Sequence, residues 1–104
     1  MQIRIEDTEQ SDAPLSAHIP GELIASGAVR DILSGTKKSF SGEPIEILTF
    51  AVGNLPEIAL GMLSAALYDI VKRPFTKVSV EGKDIKKMTL AEIEDVLAKK
   101  TKSK

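Results

Sequence analysis

Short stretches of alternating hydrophobic and polar residues flank a long apolar run in the middle of this chain. Gln2–Glu6 sets Ile3 and Ile5 on one side and Gln2, Arg4 and Glu6 on the other, the period of a half-buried strand. Asp7–Pro14 is an acidic, turn-rich loop, and Leu15–Ile19 carries no clear period. From Pro20 to Gly35, Leu23, Ile24, Ala28, Ile32 and Val29 recur at helical spacing, so the pattern predicts a helix between a starting proline and a closing glycine. Gly27 weakens that helix from within. Ser34–Glu43 then predicts a polar loop anchored only by Phe40. Pro44–Phe50 predicts a second strand, with Ile45, Ile47 and Thr49 facing one way and Glu46, Leu48 and Phe50 the other.

The apolar run Asn54–Arg73 predicts the longest helix. Asn54 is a good N-cap residue with Glu57 three positions on, and Pro56 suits a first turn. Lys72 and Arg73 suit the last turn, and Pro74 ends the pattern. On a helical wheel Glu57, Gly61, Ser64, Tyr68 and Lys72 form one narrow polar stripe, which leaves an apolar arc of roughly 240°. After it, Thr76–Val80 alternates as a strand, Glu81-Gly82 reads as a two-residue hairpin turn, and Lys83–Met88 as the return strand. Thr89 and Glu92 form a capping box for a closing helix whose apolar side is Leu90, Ile93, Val96 and Leu97.

The predicted order is strand, helix, strand, long helix, hairpin, helix. It implies a two-layer α+β domain, a small sheet packed on a long central apolar helix with two flanking helices. Residues 1–98 form the single domain and 99–104 a basic tail. An apolar arc this wide exceeds what one sheet covers. A homo-oligomer, most simply a two-fold dimer, is therefore expected, with Leu60, Leu63, Leu67 and Val71 as interaction residues; a monomer closed by its own flanking helices is the alternative.

Charge is split along the chain. Residues 1–71 hold four Lys/Arg against ten Asp/Glu, a net −6, and residues 72–104 hold ten against five, a net +5. Lys72, Arg73, Lys77, Lys83, Lys86 and Lys87 cluster in sequence around the hairpin, which gives nucleic-acid binding as one alternative reading. Phe75 is the one aromatic among them. A small membrane-anchored protein is another alternative, since Ile47–Tyr68 is long enough to span a bilayer. Against it, Gly53, Asn54 and Pro56 split that run, and Glu57 at mid-membrane would cost roughly 2.5–3.5 kcal/mol.

Catalytic chemistry has little to stand on. With no cysteine, disulfides, thiolate catalysis and cysteine-held metals are excluded. His18 is the only histidine, so no His cluster can hold a transition metal. The serines lack a GxSxG or SxxK context, and SGTKKSFSGE lacks the spacing of a phosphate-binding loop. Glu92, Glu94 and Asp95 read as solvated surface, and Glu57 as a capping residue before a buried acid. No catalytic, cofactor or metal residues are assigned. The opening MQIRIEDTEQ lacks the apolar core of a secretory signal, and cytoplasmic residence is expected.

The stretch from Glu57 to Lys99 resembles the effector-associated constant component family of prokaryotic conflict systems. The likeness rests on an Ala/Leu-rich helix ending in basic residues (LSAALYDIVKR), a strand with a glycine hairpin (VSVEGKDI) and a closing helix (MTLAEIEDVLAKK). The opening strand MQIRIE is similar too. The family's arginine run after the helix is reduced here to Lys72 and Arg73. The resemblance implies a non-enzymatic adaptor that associates with effector or sensor modules through a protein partner. The expected function is accordingly a protein-interaction domain, not an enzyme, with no cofactor.

Overall fold

The computed structural model describes residues 1–8, 15–38 and 40–102, with side chains as far as residue 100. Five antiparallel strands form one sheet. β1 is Gln2–Asp7, β2 Val29–Lys38, β3 Pro44–Val52, β4 Thr76–Val80 and β5 Lys83–Asp84, in the spatial order β2-β3-β1-β4-β5. A 3-10 turn, Leu15–His18, and three helices accompany them: α1 Gly21–Ala25, α2 Glu57–Val71 and α3 Leu90–Lys102. The expected two-layer α+β organisation is present. The acidic loop expected over Asp7–Pro14 lies mostly outside the described residues.

Alternation decides which face of the sheet is covered. Ile3 and Ile5 of β1, Leu48, Phe50 and Val52 of β3, and Val78 and Val80 of β4 are all buried on one side. Leu63, Leu67, Ile70 and Val71 of α2 and Ile93 and Leu97 of α3 close over them. Burial of this apolar surface is the main force holding the layers together, at about 25 cal/mol per Å².

The middle helix differs from expectation in length, start and position. It has 15 residues, not the 20 of Asn54–Arg73, and Pro56 (φ −58°, ψ 160°) is its N-cap. The first helical bond runs from Leu60 N–H to Pro56 C=O, so Asn54 stays in the preceding loop and no capping box forms. The helix is one member of a layer shared with α3, and the sheet does not wrap around it. The polar stripe expected along it is also interrupted. Ser64 is fully buried, because its hydroxyl donates to Leu60 C=O at 2.7 Å and needs no water. Glu57 and Lys72 at the two ends of the stripe face solvent as expected, and Ile58, Ala65 and Asp69 join them.

The largest correction concerns residues 20–35. The helix stops at Ala25 because Gly27 takes φ +80°, the left-handed turn that ends helices. Gly27 N–H donates to Ile24 C=O in that turn. Everything from Val29 on is strand, as is Ser34–Lys38, which the sequence reads as loop. A bulge between Arg30 and Leu33, with Asp31 at φ 54°, breaks the strict alternation of β2 and hides its period.

Elsewhere the local signals hold. Thr76–Val80 is a strand, and Glu81 (φ 51°) and Gly82 (φ 81°) make the hairpin turn. The return strand is shorter than Lys83–Met88: only Lys83 and Asp84 pair, and Ile85 then dives into the core. The capping box of α3 forms in full, with Thr89 N–H to Glu92 Oε1 at 3.1 Å and Glu92 N–H to Thr89 Oγ1 at 3.3 Å. The helix runs through Lys102, past the expected boundary at residue 98, and Asp95 pairs with Lys99 at 3.0 Å.

Candidate functional site: the open face of the sheet

Alternation fills one face of the sheet with core residues and, among the described residues, leaves the other without a covering helix. The strand registers set out what stands there. Across the sheet, Leu33 of β2 lies beside Thr49 of β3, then Arg4 of β1, then Ser79 of β4. One step along, Gly35, Ile47, Glu6 and Lys77 stand in line. Lys37 and Ile45 continue the pattern at the far end, where Thr8 meets Phe75. An antiparallel sheet often turns one polar face to water. This face departs from that rule by carrying Leu33, Ile45, Ile47 and Phe75 among its charges.

Glu6 is the electrostatic centre. Its Oε1 lies 2.8 Å from Arg4 Nη2 and 3.4 Å from Lys37 Nζ. Partial burial pushes the Glu6 carboxyl up, but hydrogen bonds and charge from Arg4 and Lys37 outweigh it and hold the group below the ordinary carboxylate value. Glu6 is therefore an anion engaged by two cations.

Among the described residues, hollows indent the open face at three places. One of about 200 Å³ runs between Arg4, Glu6, Lys77 and Asp84, and one of about 270 Å³ lies over Arg4, Thr49 and Ser79. The largest of the three, about 400 Å³, is walled by Glu6, Thr8, Ile45, Phe75, Thr76, Lys77, Asp84 and Lys86. Phe75 stands at it 72% exposed with φ 65°. Its carbonyl accepts from both the N–H and the hydroxyl of Thr8, each at 3.1 Å, which fixes the backbone there.

The interaction residues expected from sequence lie elsewhere. Leu63, Leu67 and Val71 are buried within a single chain, under β4 and α3, and act as core. Leu60 is partly buried and packs against the same core. The excess apolar arc of α2 is thus largely absorbed by α3 and β4. Nothing in the pattern of the middle helix pointed to Phe75, Ile45 or Glu6. The signal that could have found them was the outward half of each strand, but Ile45, Ile47 and Thr49 are apolar enough to pass for core.

The remaining candidates resolve simply. Arg73 Nη1 lies 2.6 Å from His18 Nε2, so the lone histidine joins the 3-10 turn to the end of α2. Glu57 is exposed in the first turn of α2. Among the described residues no group of three His, Asp or Glu could hold a metal, and no helix is long and apolar enough to cross a membrane. The lysines of the nucleic-acid reading are divided: Lys77 and Lys86 wall the same hollow, whereas Lys72 belongs to the helical layer. Lys72 lies over the Tyr68 ring on the helical layer, at 4.3 Å, Lys86 donates to Arg73 C=O, and Lys77 projects from the open sheet face.

No family model matches the chain, and no curated protein or solved structure matches it either.

Proposed function

We propose that this chain is a non-enzymatic protein-interaction domain that docks its partner on the open face of the sheet. The observation that carries this reading is the uncovered face itself, where Leu33 and Phe75 stand 69% and 72% exposed beside Ile45 and Ile47. Exposed apolar surface rimmed by charge is the usual mark of a protein contact. The adaptor role implied by the resemblance to the effector-associated constant component family is of the same kind and belongs to this proposal. So does self-association, with the docking surface moved from α2 to the sheet.

The test compares two surfaces in the full chain. Leu33→Asp with Ile47→Lys alters the open face, and Ile58→Asp alters an equally exposed site on α2. Sedimentation at micromolar concentration and affinity capture from the native host report binding to a second copy and to other proteins. Loss of binding in the sheet variant, with the α2 variant unchanged, is the expected result. Equal binding by all three chains, or a turnover reaction abolished by one substitution, would overturn the proposal.

A further inference from the structure

Phe75 occupies a backbone position that its side chain makes costly. At φ 65° a residue with a Cβ is strained, and a bulky aromatic more than most. Burial does not offset this, since the ring is 72% exposed. A glycine would close the same turn at lower cost. Stability therefore does not account for an aromatic here, and unoffset strain of this kind concentrates at binding sites.

The neighbours of the ring narrow what it could bind. Ile45 supplies a second apolar wall across the hollow. Lys77 registers with Glu6 on the adjacent strand, yet Glu6 is held by Arg4, two residues back on its own strand, and by Lys37 from across β3. Asp84 accepts from Lys86 N–H at 2.8 Å, and Lys86 Nζ donates to Arg73 C=O. The Lys77 ammonium makes no hydrogen bond or ion pair among the described residues, so of the two lysines in the hollow it is the one with its capacity to spare. The hollow thus offers an aromatic wall, an aliphatic wall and one unengaged ammonium, in about 400 Å³ open to solvent.

We infer that the Phe75 hollow takes a peptide segment in which an apolar side chain adjoins an Asp or Glu. The apolar group lies between Phe75 and Ile45, and the carboxylate meets Lys77. A peptide fits better than a nucleic acid, because two lysines interleaved with Glu6 and Asp84 are too few cations to track a phosphate backbone, whereas one carboxylate needs only one of them and the wall carboxylates can accept from peptide N–H groups. This inference rests on the interaction reading and specifies its partner.

Selection of a random heptapeptide library displayed on phage against the full chain tests it, with Phe75→Gly and Lys77→Glu chains in parallel. Peptides joining an apolar residue to Asp or Glu should be enriched on the natural chain. Enrichment should vanish on Phe75→Gly, and on Lys77→Glu the preference should turn to Lys or Arg. In heteronuclear NMR of the full chain, an enriched peptide should shift the amides of Thr8, Ile45, Phe75 and Lys77, and Lys77→Met should weaken it about tenfold, the size of one charge-assisted hydrogen bond. Enrichment without that signature, no enrichment, or saturable binding of a labelled DNA or RNA oligonucleotide at these amides in place of peptide would overturn it. If the hollow fails but Leu33→Asp with Ile47→Lys still abolishes partner capture, the interaction reading stands without it. If those substitutions also change nothing, both fall.

Discussion

Lys37 Nζ stands 3.4 Å from Glu6 Oε1 although β3 lies between their two strands. Lys37 registers with Ile45 and Glu6 with Ile47, so the lysine reaches diagonally over the middle strand to a carboxylate that Arg4 also holds. The pair ties the edge of the sheet to its centre across the open face.

A pH dependence follows from this pairing. Partial burial raises the Glu6 carboxyl, but hydrogen bonds and charge from Arg4 and Lys37 bring it below the ordinary carboxylate value overall. A carboxyl lowered by folding contributes stability above its unfolded value, and that contribution is lost as pH falls through its folded one. The Glu6 side-chain carbon should titrate with a midpoint below that of an ordinary glutamate in the natural chain. Arg4→Met and Lys37→Met should each move that midpoint upward, and acid unfolding should begin at higher pH. An unmoved midpoint in both variants would show that the contacts do not persist in solution.

Phe75→Gly should raise stability, an uncommon direction for removing a large apolar residue. Relief of strain, on the order of 1–3 kcal/mol, exceeds the cost of a freer unfolded chain, about 1 kcal/mol, and little burial is lost at 72% exposure. Urea unfolding of the two chains decides this. A destabilised glycine variant would mean that the ring contributes to the fold.

Gly27→Ala should destabilise by about 1–2 kcal/mol through the backbone alone. Its φ is +80°, and nothing lies within 4 Å of the place an added Cβ would take. No steric clash can therefore be the cause, and Gly27→Asn, better suited to a left-handed turn, should recover part of the loss. Equal losses in the two variants would contradict this account.

Leu63→Ala should cost about 2–5 kcal/mol at any protein concentration, because Leu63 fills the core of one chain. A loss of stability that diminishes as concentration rises would return Leu63 to an interface between copies.

Thr89→Ala removes half of a reciprocal cap and should cost about 1 kcal/mol. Glu92→Gln keeps the hydrogen-bonding shape and should cost less. Thermal unfolding ranks the two.

Elements specified by neighbouring residues were legible in the sequence. The TxxE cap, the Glu81-Gly82 turn and the strands β1, β3 and β4 each carry their signal within a few positions. Residues 20–35 were not legible because one glycine converts helix to strand, and the bulge at Asp31 then blurs the period of β2. Ser64 misled for a different reason. Its hydroxyl finds a carbonyl one turn back and can be buried, so polarity did not mark solvent there. The open face was the least legible feature. Ile45 and Ile47 of β3 point away from the core while Leu48, Phe50 and Val52 point into it, and only the location of α2 and α3 distinguishes the two sides.

The placing of β1 between β3 and β4 governs how the chain can reach this structure. The earliest strand in the sequence is the keystone of the sheet, and its partners arrive some forty and seventy residues later, as in Ile5↔Leu48 and Ile5↔Val78. Residues 1–53 hold the contiguous strands β2-β3-β1, but the helices α2 and α3 that cover their apolar face come from residues 54–104, so neither half can bury its core alone. Fragments 1–53 and 54–104 should each be unstructured alone and assemble on mixing, with β1 of the first receiving β4 of the second.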